Sequence, residues 1–155
     1  MAGKIIVFLI RLGVAVVFLY AGVLKIWDFH RGHSATPDFN LAIQHFKLSL
    51  PPDLTLLIAV YLPWLELTAA ITLFVRRLAL GAATAAAGMT TVFLIALASA
   101  WHRGLDISCG CFGKDEVSTN YPTLLTRDAL LLAAALVLVV AEARRSGRRS
   151  AAPNP

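Results

Sequence analysis

The sequence predicts an all-α integral membrane protein, a bundle of four transmembrane helices. Of its 155 residues, 58% are hydrophobic and only 15% are charged, whereas about 25% are charged in soluble domains. The mean hydropathy is +0.73, and the apolar residues gather in four long blocks. So small a globule could not hide this much apolar side chain from water, and the composition also excludes a disordered chain.

Each apolar block is long enough to span a bilayer, for which about 20 helical residues suffice. The blocks cover residues 5–27, 54–75, 78–101 and 123–143. Only helices and closed barrels satisfy the backbone in lipid, and the blocks lack the alternation of barrel strands. We therefore predict a single transmembrane domain over residues 1–143. A signal peptide is the alternative for the first block, but Arg11 interrupts it and no Ala-x-Ala-like cleavage site follows it.

The basic residues outside the blocks predict the orientation. Seven lie at the chain ends or between blocks two and three, and four lie in the two longer loops. Because Lys and Arg favour the cytoplasmic side, both termini are predicted to be cytoplasmic, with residues 28–53 and 102–122 outside. The net charge of +5 then mainly reflects topology. Residues 144–155 are predicted to be a basic, disordered cytoplasmic tail that contacts lipid headgroups, and no nucleic-acid partner is expected.

The loops and the third block carry weaker signals. Apolar residues recur within 38–50 and predict a short helix lying on the membrane surface. Pro51 and Pro52 end it, so that Asp53 or Thr55 can cap the second span. Small residues fill the third block and predict that this helix packs most tightly, chiefly through Gly81, Ala85, Gly88 and the alanines around them.

The two cysteines of the chain, Cys109 and Cys111, are separated by one glycine in the second outer loop. An extracytoplasmic position permits a disulfide, and Gly110 allows the tight turn that such a bridge needs. So small a ring adds little stability, and strain makes the bond easier to reduce. A redox-active dithiol therefore explains the pair better than a structural staple. Metal or copper ligation together with a histidine, and an incidental role, remain alternatives.

Three polar residues precede the cysteine pair. A cation at His102 or Arg103 would favour the nucleophilic thiolate of Cys109, and Asp106 could orient or deprotonate a partner. The alternative is that all three are solvated residues at the end of the third helix. No complete set of metal ligands is predicted.

Charged residues within the predicted spans form a second set of candidates. They are Arg11, Lys25, Glu66, Arg127 and Asp128. Such residues are costly in lipid and usually face the bundle interior with a partner. Depths counted from the predicted helix ends pair Arg11 with Glu66, and Lys25 with Asp128 and Asp28. Positions 11, 15, 18, 22 and 25 share one face of the first helix. The charges either serve only as structural pairs or line a polar cavity for a quinone, a proton path or a substrate.

Several of these elements together resemble the methylamine-utilisation MauE group within the DoxX-like family of four-helix membrane proteins. The most specific element is Ser-Cys-Gly-Cys-Phe-Gly at 108–113. The others are Tyr-Ala-Gly-Val-Leu-Lys at 20–25 with Asp28, Pro-Trp-Leu-Glu at 63–66, and Arg127-Asp128. The likeness extends over residues 5–143.

This resemblance implies a bacterial inner-membrane protein tied to extracytoplasmic thiol–disulfide chemistry, such as maturation of a disulfide-rich methylamine dehydrogenase subunit. It implies two partners, the lipid bilayer and a thioredoxin-like or disulfide-rich extracytoplasmic protein. The chain would then be a thiol–disulfide oxidoreductase component. Unlike vitamin K epoxide reductase-like proteins, it lacks a second cysteine pair, which argues against a self-contained relay to quinone. The alternative function is a non-enzymatic membrane scaffold or a carrier of a small molecule or quinone, built on the buried charges.

Overall fold

A computed structural model of the chain describes residues 2–28, 33–47, 51–105 and 121–150. Its elements are α1 (Ala2–Ile26), β1 (Trp27–Asp28), β2 (His33–Ser34), α2 (Thr36–His45), α3 (Pro52–Thr72), α4 (Ala79–His102) and α5 (Tyr121–Ser150). The strands β1 and β2 form a short antiparallel ribbon, in which Trp27 lies opposite Ser34. The four longer helices, α1, α3, α4 and α5, are long and apolar enough to cross a membrane. The predicted all-α membrane bundle is confirmed.

The bundle consists of two closely packed helix pairs, α1 with α3 and α4 with α5. Alanines make the close contacts of α4, and four of them are buried in the main core: Ala82, Ala83, Ala86 and Ala87. To this core α5 contributes Ala135 and Leu138, both 0% exposed. A second core near the other end of α4 contains Leu97, Ala100, Tyr121 and Leu124. Early residues of α4 therefore meet late residues of α5, and the two helices are antiparallel.

The outer surface of the long helices is apolar. Large hydrophobic side chains are exposed on all four, for example Val16, Tyr61, Val92 and Leu130, and water would oppose so large an apolar surface. A lipid bilayer removes this penalty, because its hydrocarbon core solvates apolar side chains, and the protein is accordingly a multi-pass membrane protein.

The bundle has two distinct ends. We call the end with the α3–α4 turn (residues 73–78), Arg76, Arg77, Arg144 and Arg145 the basic end. The opposite end, with α2 and the α4–α5 connection (residues 103–120), is the loop end. Residues 106–120 of that connection lie outside the described part of the chain.

The predicted short helix of the first loop exists as α2, but it is less a surface helix than a packed one. Phe39, Ala42 and Phe46 are buried, and α2 lies mainly against α3. Leu41 is 52% exposed and keeps an apolar contact surface on the other side. Residues 48–50 of the predicted segment lie outside the described residues.

Both predicted caps of the second span are wrong. Helix α3 begins at Pro52, with Pro51 in extended conformation as its N-cap and no side-chain cap. Proline at the first helical position needs no hydrogen-bond partner for its nitrogen and has a helical φ already set. The hydroxyl of Thr55 instead donates to the Pro52 carbonyl at 2.8 Å.

The predicted tail is also partly wrong, because α5 continues as a helix through Ser150. In this extension the Arg145 guanidinium lies 3.7 Å from the Glu142 carboxylate. Ion pairs between residues one turn apart stabilise a helix. Residues 151–155 lie outside the described part.

The tight packing of α4 is as expected, although it uses other small residues than the predicted glycines. Gly81 and Gly88 are exposed, and a Cβ added at either would meet nothing within 4 Å.

Candidate functional site

A buried ion pair joins the last turn of α1 to α3, toward the loop end of the bundle. The Lys25 ammonium donates a hydrogen bond to Oε1 of Glu66, and the two residues are only 2% and 6% exposed. The same ammonium lies 5.2 Å from the ring centre of Phe39 and 5.5 Å from that of Phe93. Lysine reaches this position because its long apolar stem packs along the helix while the charged group finds a partner. One carboxylate and two aromatic faces therefore stabilise the charge of the Lys25 ammonium.

The acid Asp128 on α5 faces the same interior and is 6% exposed. Its Oδ1 accepts a hydrogen bond from Nε of the adjacent Arg127 at 3.0 Å. Two further oxygens, Oδ2 of Asp128 and Oε2 of Glu66, are buried and have no hydrogen-bond partner among the described residues. Unpartnered buried acceptors are uncommon, and each one calls for an explanation.

A second buried ion pair lies toward the basic end. Nη2 of Arg11 donates to Oε1 of Glu142, and both residues are buried. Arg145, with a side chain 43% exposed, adds a longer contact to the same carboxylate. This pair links α1 to α5, whereas Lys25 and Glu66 link α1 to α3.

The predicted pairs Arg11–Glu66 and Lys25–Asp128 are thus wrong, although the predicted stripe of α1 is confirmed: positions 11, 15, 18, 22 and 25 are all buried. Among the described residues, the ion-pair partner of Lys25 is Glu66, and that of Asp128 is Arg127. The side chain of Asp28 lies outside the described part.

The register between α1 and α3 explains the exchange of partners. A Cβ at Gly22 would lie 3.1 Å from the Pro63 carbonyl oxygen and 3.1 Å from Cγ of Leu67. This close approach places Glu66 beside the last turn of α1. Counting depth from the predicted helix ends failed because α3 extends past α1 at the loop end, where α2 covers it. Glu142, one residue before the end of the fourth predicted span, is not among the residues that the sequence analysis selected.

A cavity of about 870 Å³ separates the two helix pairs. All four long helices line it, and α1 alone contributes residues from Ile10 to Lys25, a length of about 22 Å. The charged side chains Lys25, Glu66, Arg127 and Asp128 line it as well. The rest of the wall is apolar except for Thr90. Exposed Val92 and Leu130 also line this cavity, so it opens between the helices toward the surrounding lipid.

Arg103 at the loop end fastens α2 to α4. Its Nη1 and Nη2 donate to the carbonyls of Lys47 (2.9 Å) and Phe46 (2.6 Å), while its Nε donates to the Ser99 carbonyl at 3.1 Å. The described contacts of this guanidinium are therefore structural. His102 is exposed at the end of α4.

The predicted thiol site itself, Cys109 and Cys111 with Asp106, lies outside the described residues. The structure therefore does not test the proposed effect of His102 or Arg103 on a thiolate. Within the described part of the chain, no three His, Asp or Glu side chains come together as metal ligands would.

Comparison with known proteins shows the family of this chain. The family described as "Methylamine utilisation protein MauE" matches residues 3–141, nearly the whole described bundle. The chain belongs to the MauE family. A relative named "Methylamine utilization protein MauE" from Paracoccus denitrificans is 32% identical over 130 residues, which cover 83% of this chain and 66% of the relative. The chain thus spans just under two thirds of that relative's length. No solved structure matches it.

In this MauE-family chain, sequence reasoning missed two contributors to the buried charge cluster, Phe39 and Phe93. Their aromatic rings flank the Lys25 ammonium, one from α2 and the other from α4. The sequence does carry a signal for Phe39, since this residue begins an apolar repeat within a polar loop. Phe93 is indistinguishable in sequence from the other apolar residues of its span.

Proposed function

We propose that the chain is a component of extracytoplasmic thiol–disulfide exchange in the bacterial inner membrane, acting through Cys109 and Cys111. The observation that carries the proposal is the position of the pair in the chain. Both cysteines belong to the segment joining antiparallel α4 and α5 at the loop end, opposite the arginines of the basic end. With those arginines in the cytoplasm, the dithiol faces the oxidising side, and both termini are cytoplasmic.

The exchange follows ordinary thiol–disulfide chemistry. The thiolate of one cysteine attacks the disulfide of a partner, forming a mixed disulfide and releasing one partner thiolate. The second cysteine then attacks the mixed disulfide, so that a Cys109–Cys111 bond forms and the partner leaves as a dithiol. Two electrons pass to the partner in this direction, and the same steps reversed oxidise it. The relative reduction potentials decide which direction prevails.

Membership of the MauE family supports a role in methylamine utilisation. On this basis the partner is a disulfide-rich secreted protein whose maturation resembles that of methylamine dehydrogenase, or a thioredoxin-like protein that acts on it. The short ring formed by Cys-Gly-Cys supports the proposal chemically, because a strained disulfide is readily reduced.

Single cysteine variants test the proposal directly. Cys111→Ser should trap a covalent complex with the partner through Cys109, visible on non-reducing gels and lost on reduction. The double variant Cys109→Ser/Cys111→Ser is the matched control and should trap nothing. If neither single variant traps a complex or alters the partner's redox state in cells, the exchange function is refuted.

The side of the membrane is tested separately with an impermeant thiol reagent on intact spheroplasts. Cys109 should be labelled in the Cys111→Ser protein. A cysteine introduced by Ser146→Cys in the double variant, near the basic end, should be labelled only after lysis. The opposite pattern would contradict the proposed orientation.

The cavity and its charges favour a second candidate, a non-enzymatic scaffold or small-molecule carrier. On this hypothesis, Glu66→Gln and Arg11→Ala abolish growth on methylamine, while the double cysteine variant grows normally. The reverse result supports thiol exchange.

A further inference from the structure

We infer that the cavity between the two helix pairs binds a long-chain amphiphile whose uncharged head donates hydrogen bonds, as a hydroquinone or an alcohol does. The inference gives a ligand class to the carrier candidate and does not depend on the cysteines. It rests on the shape of the cavity, its balance of charge and its two unpartnered carboxylate oxygens.

The shape and opening of the cavity suit a chain-like molecule that arrives from the membrane. Its volume, about 870 Å³, falls within the range of small-molecule sites, which are mostly apolar with a few placed polar groups. It extends about 22 Å along α1 from Ile10 to Lys25. Exposed Val92 and Leu130 line it, so a ligand can enter sideways from the lipid.

The polar groups of the cavity are concentrated along part of its length. On α1 the lining runs from apolar Ile10, Gly13 and Val14 to Lys25, and on α5 from apolar Ala134 to Asp128 and Arg127. Because the two helices are antiparallel, as the Arg11–Glu142 contact at their other end requires, these charges lie at one level. An amphiphile would therefore bind with its head at Lys25, Glu66 and Asp128, and its chain toward Ile10 and Ala134.

The charges at this level indicate an uncharged head. The lining contains two cations, Lys25 and Arg127, and two acids, Glu66 and Asp128. The Lys25 ammonium is already engaged by Glu66 and two aromatic rings, and Arg127 by Asp128. An anionic head would have to compete with these carboxylates, which makes a phosphate or carboxylate ligand unfavourable.

The unpartnered oxygens indicate that the head is a hydrogen-bond donor. Glu66 Oε2 and Asp128 Oδ2 are buried acceptors without a partner among the described residues, and both residues line the cavity. They come from α3 and α5, from opposite helix pairs. A head with hydroxyl groups would satisfy these acceptors, whereas a hydrocarbon chain would leave both unpaired.

The open glycines of the cavity wall allow a clean test. Gly88 and Gly13 line the cavity, and a Cβ at either would meet no atom within 4 Å. Leucine at these positions can therefore fill ligand space without displacing protein. Gly81 is equally open on the same helix and is absent from the lining, so Gly81→Leu is the matched control. Each change also replaces a poor helix former by a good one.

The experiment uses the full chain in phosphatidylcholine nanodiscs and a decyl hydroquinone with a photoreactive diazirine in its alkyl chain. Cross-links should map to the cavity lining and be competed by untagged decylubiquinol, by dioctanoylglycerol, or by both. The competitor that succeeds identifies the head as hydroquinone or simple alcohol. Gly88→Leu and Gly13→Leu should each weaken saturable binding about tenfold, a difference of about 1.4 kcal/mol, while Gly81→Leu leaves it unchanged.

Further variants test the binding of the ligand's head group and the independence of binding from the two thiols. Asp128→Leu removes one unpartnered acceptor and should also weaken binding about tenfold. The Cys109→Ser/Cys111→Ser protein should bind as the wild type does, so that failure of thiol exchange and failure of ligand binding give different results. Circular dichroism of each variant verifies the helical fold.

Three results would overturn the inference. They are labelling spread evenly over lipid-facing residues, competition by anionic decyl phosphate alone or equally by decane, and wild-type binding by both Gly88→Leu and Gly13→Leu. The first two mean that the cavity holds only lipid chains or an anion, and the third means that the ligand does not occupy the cavity.

Discussion

The replacement Lys25→Met should strongly destabilise the bundle, because it leaves the Glu66 carboxylate without its cation. Methionine keeps an apolar chain of similar length, so the packing along α1 is largely retained. Lys25 and Glu66 are 2% and 6% exposed, and water cannot readily replace the lost contact. Removing one partner of a buried ion pair costs about 3–5 kcal/mol. We expect a loss of this size for Lys25→Met and a similar loss for Glu66→Met.

The double variant Lys25→Met/Glu66→Met tests whether the pairing itself accounts for this loss. Replacing both members of a buried pair by apolar residues is often neutral or better, so the double variant should lie within about 1 kcal/mol of the wild type. Arg145→Met is the exposed control: its side chain is 43% exposed and 3.7 Å from Glu142, and its loss should cost less than about 1 kcal/mol.

Unfolding in detergent micelles, followed by the fluorescence of the three tryptophans, measures these differences. Growth of cells on methylamine is recorded separately, since stability and function need not change together. A loss below about 1 kcal/mol for Lys25→Met, or a double variant as unstable as the sum of the single ones, would refute the buried pairing.

Two further predictions concern the helix contacts. Arg103→Lys loses the forked contact with the carbonyls of Phe46 and Lys47, since a lysine cannot reproduce the planar geometry of a guanidinium. Hydrogen exchange should become faster in α2 and remain unchanged in the middle of α5; unchanged exchange in α2 would show that the clamp is unimportant. Gly22→Ala should destabilise the bundle by about 1–2 kcal/mol, because overpacking against a backbone carbonyl outweighs the better helix propensity. Gly81→Ala, with open space around it, should instead be neutral or stabilising in the same unfolding assay.

The sequence predicted the buried face of α1 correctly because helical periodicity is local. Arg11 and Lys25 are spaced by whole turns along one face, and charges in an apolar span must turn away from lipid. Both are buried as expected. The same reasoning could not choose their partners, since partner choice depends on how far one helix slides along another.

For the thiol site, the sequence alone supplies the evidence. The Cys-Gly-Cys spacing and its chemistry are read directly from the sequence, and they remain predictions because the segment lies outside the described residues. The Arg103 contacts with α2 had no sequence signal, since carbonyl oxygens are present at every position and only the folded chain brings two of them to one guanidinium.

Amino-acid order alone determined that this protein has four membrane-spanning helices and which side chains of α1 avoid lipid, because both follow from hydrophobicity and the helical repeat. Only the tertiary structure decided that Lys25 pairs with Glu66 and Arg11 with Glu142, and that a cavity separates the two helix pairs. The physical reason for the first pair is the close approach at Gly22, where the absence of a side chain lets α1 settle against the Pro63 carbonyl and thereby sets the height of Glu66 relative to Lys25. The second pair depends in the same way on how α5 lies along α1.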